Sequence, residues 1–244
     1  MTELSGWVRS THTSGEVTHP TYRKGVGPGV VLVHEIPGIT PEVLRFADEV
    51  VDRGYTVVMP HLFGDPGAPA TTSQIGKAIA RVCVSNEFTK LKAGVTSPVT
   101  HWLRSLARTL HDELGGSGVG AIGMCLTGGF ALAMMVDESI AAPVVAQPSL
   151  PAAIGKTRAG DLGLSPADRA AVRRRVAEGC PVLGVRYRDD AATGTRFDTL
   201  TNELGAGFIM VELEGKGHAT LTADRQQVAV DRVLDFFDER LKAG

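Results

Sequence analysis

Short apolar runs alternate with amphipathic stretches along most of the chain. Residues 29–34, 55–60, 119–124, 142–146, 181–187 and 207–213 are runs of five to seven mostly apolar residues bounded by Gly, Pro or polar turns. Runs of that length and continuity predict strands buried on both faces of a sheet. Between them, apolar residues recur at helical spacing. Val43, Leu44, Ala47, Val50 and Val51 mark one helix, started by Thr40-Pro41 and stopped by Gly54. Val99, Trp102, Leu103, Leu106, Leu110 and Leu114 mark another, ended by Gly115-Gly116. Residues 73–94 read as irregular helix, residues 126–136 as a helix packed inside the protein, and 197–204 as a short helix. Ser165-Pro166-Ala167-Asp168 opens a further helix, and Val230, Val233, Leu234, Phe237 and Leu241 form the stripe of the last.

Strand and helix alternate without a linker, which predicts an α/β fold: a mostly parallel sheet with helices on both faces, in one domain over residues 28–244. Residues 1–27, rich in Ser, Thr and His, are expected to form an N-terminal loop or short edge segment packed on that domain. The composition agrees. The chain has 244 residues, 43% hydrophobic and 21% charged, ordinary for a globular protein. The net charge of −2 gives no pull toward nucleic acid or anionic membranes. The longest apolar stretch, residues 128–146, is cut by Asp137 and Glu138, so no membrane span is expected. The start of the chain lacks an apolar signal core. The three cysteines, Cys83, Cys125 and Cys180, are too few and too odd in number for a disulfide framework, which points to a reducing, cytoplasmic setting. No His/Cys cluster has zinc spacing, and neither a metal nor an organic cofactor is expected. Gly115 to Gly120 precedes a strand and so is no dinucleotide fingerprint. Arg173-Arg174-Arg175 reads as a solvated helix face.

In such sheets reactive groups collect at the carboxyl ends of strands. Three ends carry chemistry. Gly123-Met124-Cys125-Leu126-Thr127-Gly128-Gly129 runs from strand into helix with small neighbours, the setting of a nucleophile elbow. A helix start there stabilises thiolate and oxyanion through N–H groups and the dipole. Cys83 and Cys180 lack that setting and read as packing residues. Arg188-Asp189-Asp190 follows the 181–187 strand. Gly215-Lys216-Gly217-His218 follows the 207–213 strand. His12 and His19 fall in the N-terminal segment, His61 after a strand where it could line a site, and His101 and His111 on a helix. Nucleophile, acid and base in the order Cys125, Asp190, His218 is the chain order of α/β-hydrolases.

On these residues, and on His34-Glu35-Ile36 after the first apolar run, the chain resembles the dienelactone hydrolase family, a cysteine branch of the α/β-hydrolases, over about residues 29–241. The resemblance implies Cys125 as nucleophile, His218 as base and Asp190 as orienting acid, with Asp189 as the alternative acid. It implies that Glu35 pairs with the resting thiol and that the N–H groups of Ile36 and Leu126 form the oxyanion hole. A carboxylate beside a thiol disfavours the thiolate by like-charge repulsion. The chain departs from the family at Thr127, where the elbow usually has Gly. It also lacks a secure match for the basic residues that hold a substrate carboxylate, Arg81 being the candidate. The implied activity is hydrolysis of dienelactone-like enol-lactones or other activated esters through an acyl-thioester. The alternatives are a broad carboxylesterase or thioesterase, and a hydrolase-fold protein that binds a ligand without turnover. The expected partner is a small-molecule ester or lactone, and the expected state a monomer or small homo-oligomer.

Overall fold

The computed structural model describes residues 4–85, 88, 93–153 and 155–242. Eight strands form one sheet in the order β1-β2-β4-β3-β5-β6-β7-β8. They are β1 (Val8–Ser14), β2 (Val17–Lys24), β3 (Gly29–Val33), β4 (Thr56–Pro60), β5 (Val119–Met124), β6 (Ile140–Ala146), β7 (Val182–Tyr187) and β8 (Phe208–Leu213). From β4 to β8 every pairing is parallel, while β1–β2 and β2–β4 are antiparallel. The helices are α1 (Pro41–Asp52), α2 (Thr72–Val84), α3 (Val99–Leu114), α4 (Gly128–Met134), α5 (Gly155–Ala159), α6 (Pro166–Ala177), α7 (Arg196–Leu204) and α8 (Gln227–Phe237).

Every residue of β3, β4 and β5 is buried, which is why these strands are apolar without alternation. Two clusters of buried side chains cover the sheet. One joins α2, α3, α4, α6 and α7 through residues such as Trp102, Leu103, Phe130 and Phe197. The other joins α1 and α8 through Phe46, Val50, Val233 and Phe237. Two helix starts act as their residue types require. The Thr40 hydroxyl accepts from Val43 N at 3.3 Å, and the Ser165 hydroxyl accepts from Asp168 N at 3.2 Å, each worth about 1 kcal/mol.

The structure differs from the sequence reading in four places. Residues 1–27 contribute two full strands, β1 and β2, and Leu4 and Trp7 are buried. Their alternating residues are mostly Ser, Thr and His, so a hydrophobic count misses them. The stretch 126–136 is a 3₁₀ turn over Cys125–Thr127 followed by the shorter α4. Cys83, read as packing, is exposed on α2, whereas Cys180 is buried. Arg175 is not simply solvated: its guanidinium donates to Met135 O at 3.1 Å and Ile140 O at 2.7 Å, closing the end of α4 onto β6. Within the 73–94 stretch, residues 86, 87 and 89–92 lie outside the described residues.

From β3 the chain passes to β4 on one side, and β5 lies on the other. This reversal opens a crevice at the carboxyl ends of β3 and β5. Glu35 and Ile36 follow β3 there, and Cys125 follows β5.

Candidate active site

The elbow after β5 is tight because its residues permit it. Cys125 has φ +54°, a left-handed conformation that costs a non-glycine residue about 1–3 kcal/mol and clusters at functional sites. At Gly123 a Cβ would stand 2.2 Å from Thr127 O, and at Gly128 one would stand 2.7 Å from Pro148 Cα. Both clashes are with backbone atoms, which have little room to yield. Gly123→Ala is therefore expected to destabilise the fold by about 1–3 kcal/mol, read as a lower urea midpoint.

Thr127, the departure from the family pattern, is unstrained at φ −92° and ψ 0°. Its buried hydroxyl accepts from Met124 N at 3.0 Å. It also lies 3.1 Å from Val33 O, 3.2 Å from His34 O and 2.9 Å from Met124 O, to any one of which it donates. The threonine thus braces the elbow against the end of β3.

His34 fixes that end. Its ring is fully buried against Phe63, with Nε2 accepting from Leu62 N at 3.2 Å and Nδ1 donating to Glu35 O at 3.1 Å. Burial drives its pKa down to about 3, so the ring is neutral and structural, and it orients the backbone that enters Ile36.

The side chains expected to be acid and base meet across two strand ends. His218 Nδ1 lies 2.9 Å from Asp190 Oδ2. Asp190 also accepts from Thr193 Oγ1 at 2.6 Å and Ala192 N at 3.0 Å. Burial raises the Asp190 carboxyl, but the bonds from His218 and Thr193 outweigh it and hold the pKa below the usual aspartate value. Asp189 is exposed, so the carboxylate on the imidazole is that of Asp190. On His218 burial favours the neutral ring. The hydrogen bond to Asp190 and the nearness of Cys125 overcome burial and carry its pKa to about 10. The loop that presents His218 is fixed as well. Asp224 accepts from His218 N at 2.8 Å and Ala219 N at 3.2 Å, and Tyr187 donates to Asp224 O at 2.5 Å. Gly217 lies so close to the Tyr187 ring that a Cβ would stand 2.2 Å from it.

The residues after β6 carry no reading from the sequence, yet two of them enter the site. Ser149 Oγ lies 3.3 Å from Cys125 Sγ, and Ser149 N donates to Cys125 O at 2.9 Å. Gln147 is fully buried at φ +33°. Its amide donates to Glu35 Oε2 at 3.2 Å and accepts from Thr220 Oγ1 at 2.5 Å. Both lie just past a parallel strand's carboxyl end, so the strand-end rule that found Cys125 would have flagged them.

Glu35 is buried, and burial pushes its carboxyl pKa up against the bonds from Thr222 and Gln147 and the charge of His218. Its oxygens are taken by Thr222 and Gln147, while the Cys125 thiol is hydrogen-bonded to the Ser149 hydroxyl. Glu35 and Gln147 thereby tie the ends of β3 and β6 to the loop just after His218. Arg81 falls elsewhere. It lines a cavity with His61, Phe63, Asp65 and Lys77 to which no residue of the 123–129 elbow contributes. His12 and His19 sit on β1 and β2, edge-on to Trp102. Among the described residues no group of three or more His, Cys, Asp or Glu side chains could hold a metal ion, and no helix is long and apolar enough to cross a membrane.

The fold recurs in solved structures. A dienelactone hydrolase from Anabaena variabilis superposes with a TM-score of 0.66 at 14% identity, covering 96% of this chain and 98% of its own. A dienelactone hydrolase-like promiscuous phosphotriesterase from metagenomic libraries gives 0.64 at 17% identity, over 96% and 98% of the two chains. A cold-adapted esterase from an Arctic intertidal metagenomic library gives 0.63 at 16% identity, over 96% and 92%. No curated protein sequence matches the chain. The family model for the dienelactone hydrolase family matches residues 16–161, which take in β2 through β6, the elbow and Glu35. The chain belongs to the dienelactone hydrolase family, and with it to the carboxylic ester hydrolases of the α/β-hydrolase fold.

Proposed function

We propose that the protein hydrolyses activated carboxylic esters, enol-lactones among them, with Cys125 as nucleophile, His218 as base and Asp190 as the acid that orients it. The observation that carries this reading is Cys125 itself, held at φ +54° on the elbow, together with a histidine after a neighbouring strand whose Nδ1 lies 2.9 Å from Asp190 Oδ2.

The steps follow from the groups present. His218, made more basic by Asp190, holds the proton that has left the thiol, and the thiolate attacks the carbonyl carbon. The carbonyl oxygen gains the negative charge and is met by the N–H groups of Ile36 and Leu126, one from each side of the crevice. The tetrahedral intermediate collapses, the C–O bond breaks, and the leaving alkoxide or enolate takes the proton from His218. The acyl group is now a thioester on Cys125. Water, losing a proton to His218, attacks that thioester, and its collapse frees the acid and restores the thiol. A thiolate is itself a good leaving group, so esters of stable alkoxides and enolates turn over far better than amides.

Ser149 acts on the sulfur through its hydroxyl, which faces the thiolate as a hydrogen-bond donor. Asp190 holds Nδ1 of His218 and so turns Nε2 toward the thiol. Glu35 acts as a positioning residue, holding the 218–222 loop to the end of β3 through Thr222. Ser149→Ala is expected to lower kcat/KM for p-nitrophenyl acetate by about tenfold, the loss of one hydrogen bond to a charged group, with the urea midpoint nearly unchanged. An unaltered rate would remove Ser149 from the mechanism. The reading as a whole is tested by exposing the native enzyme and Cys125→Ala to iodoacetamide. Native enzyme loses activity as one carbamidomethyl group appears on Cys125. Inactivation that tracks alkylation of exposed Cys83 instead would refute it.

A further inference from the structure

The sheet ends on β1, and no described strand lies beyond it. Its seven residues, Val-Arg-Ser-Thr-His-Thr-Ser, pair with β2 in one unbroken register from Val8–Arg23 to Ser14–Val17. An edge strand offers main-chain N–H and C=O groups to any strand that meets it, and proteins commonly blunt such edges with Lys, Pro or a bulge. β1 has none of these.

Which groups face outward follows from Pro20. Thr11 stands opposite Pro20, which has no N–H. The Pro20 carbonyl accepts from His61 N at 2.9 Å, on the β4 side. Pro20 therefore exchanges no bonds with Thr11. Bonded and non-bonded pairs alternate along an antiparallel ladder. Val8, Ser10, His12 and Ser14 thus bond to β2, and the N–H and C=O groups of Arg9, Thr11 and Thr13 point away from it. Residues 1–3 lie outside the described residues. Leu4, which follows them, packs beside Gly67 after β4, two strands in from this edge.

The edge is complementary to itself. Antiparallel pairing about Thr11 sets Thr11 against Thr11 of the partner subunit and Arg9 against Thr13 of the partner subunit. Every outward N–H and C=O then finds a partner. The charges suit the same arrangement. Arg9 stands near the start of β1 and Glu16 in the turn that ends it, and both are exposed. Reversed alignment brings the start of one strand to the end of the other, so each Arg9 comes within reach of Glu16 of the partner subunit and no like charges face each other. A parallel alignment would set Arg9 on Arg9. Val8, 69% exposed, falls opposite Ser14 of the partner subunit and sheds part of that exposure.

We infer that β1 is a dimer interface: two copies of this chain join β1 to β1 about a twofold axis, running the eight-stranded sheet of one subunit into that of the other. A seam of one strand from each side buries less than about 1,200 Å2, the range of weak and transient pairs, so the dimer forms with rising concentration.

Sedimentation velocity from about 5 to 500 µM should carry the native chain from monomer to dimer. Thr11→Pro removes an N–H that the fold turns outward, a position at which edge strands accept proline. It deletes one bond from each side of the seam and should weaken association by about tenfold or more. In dilute solution its urea midpoint and its turnover of p-nitrophenyl acetate should match the native enzyme. Arg9→Glu and Glu16→Lys should each weaken association by about threefold or more. The double variant should recover native association to within about twofold. Recovery has no source within one chain, where Arg9 and Glu16 stand at opposite ends of β1. A native chain that stays monomeric at the highest concentration would overturn the interface. A dimer that Thr11→Pro leaves intact would do the same, because the contact would then lie elsewhere, such as the β8 edge. Single charge variants without effect, or a double variant that does not recover, would also overturn it. If Thr11→Pro lowers the urea midpoint, the charge exchange decides alone.

Discussion

Replacing Cys125 with alanine should lower kcat/KM for p-nitrophenyl acetate by about a thousandfold or more, leaving only what oxyanion stabilisation and substrate positioning supply without a nucleophile. The fold should survive. The thiol's hydrogen bond runs to Ser149, and the alanine would still occupy φ +54°. That strain, about 1–3 kcal/mol for any side chain, points to a companion result. Cys125→Gly, which relieves it, should be more stable than the native enzyme and equally inactive. A gain in stability accompanied by loss of activity is the pattern of a residue held for chemistry. If Cys125→Ala and the native enzyme turn over the ester at similar rates, the sulfur is not the nucleophile.

The second large effect concerns the pair behind it. Asp190→Asn should cost about 10²–10⁴ in kcat, because an amide facing Nδ1 admits the wrong ring tautomer and offers no charge to the imidazolium. Asp189→Asn, on an exposed side chain, should change kcat by less than about threefold. The pair also predicts a pH signature in stability. The folded-state pKa of His218 is raised from 6.5 to about 10, so its contribution is complete below about pH 6.5 and is lost as pH rises through about 10. That of Asp190 is lowered from 3.8, so its contribution is present above that value and is lost as pH falls through the folded-state pKa. The urea midpoint of native enzyme relative to His218→Gln should be highest between about pH 5 and 6.5 and should decline toward both extremes. A difference that stays flat from pH 6 to 10 would mean that the two side chains do not form the bonded pair described here.

How much of this was legible beforehand depends on where each feature's signal lies. Cys125, Asp190 and His218 each stand at the carboxyl end of a strand whose apolar run is unmistakable, so chain order alone brings them to one edge of the sheet. The helix starts at Thr40 and Ser165 were legible for the same local reason, a hydroxyl before a proline. Ser149 and Gln147 carry only their position just past β6 as a signal, and Thr220 and Thr222 only theirs after His218. A serine becomes a partner of the nucleophile only when β6 is laid beside β5, and the Gln147 amide acquires meaning only between Glu35 and Thr220. Arg196 was invisible for a related reason: an arginine at the start of a short helix reads as solvated until five carbonyls, four from loops and one from α5, converge on it. The β1–β2 pair escaped notice because polar residues with strand-compatible backbones, such as the Thr13–Thr18 hydroxyl pair at 2.8 Å, leave no apolar alternation to find.

The most direct test of the central claim is to catch the acyl group on the sulfur. Native enzyme mixed with p-nitrophenyl acetate and quenched in acid within the first turnovers should carry one acetyl group, mapping to the peptide that contains Cys125 and labile to hydroxylamine as a thioester is. Cys125→Ala should carry none. An acetyl group on another residue that forms and decays at the rate of turnover, or steady turnover by the Cys125→Ala protein, would contradict the account.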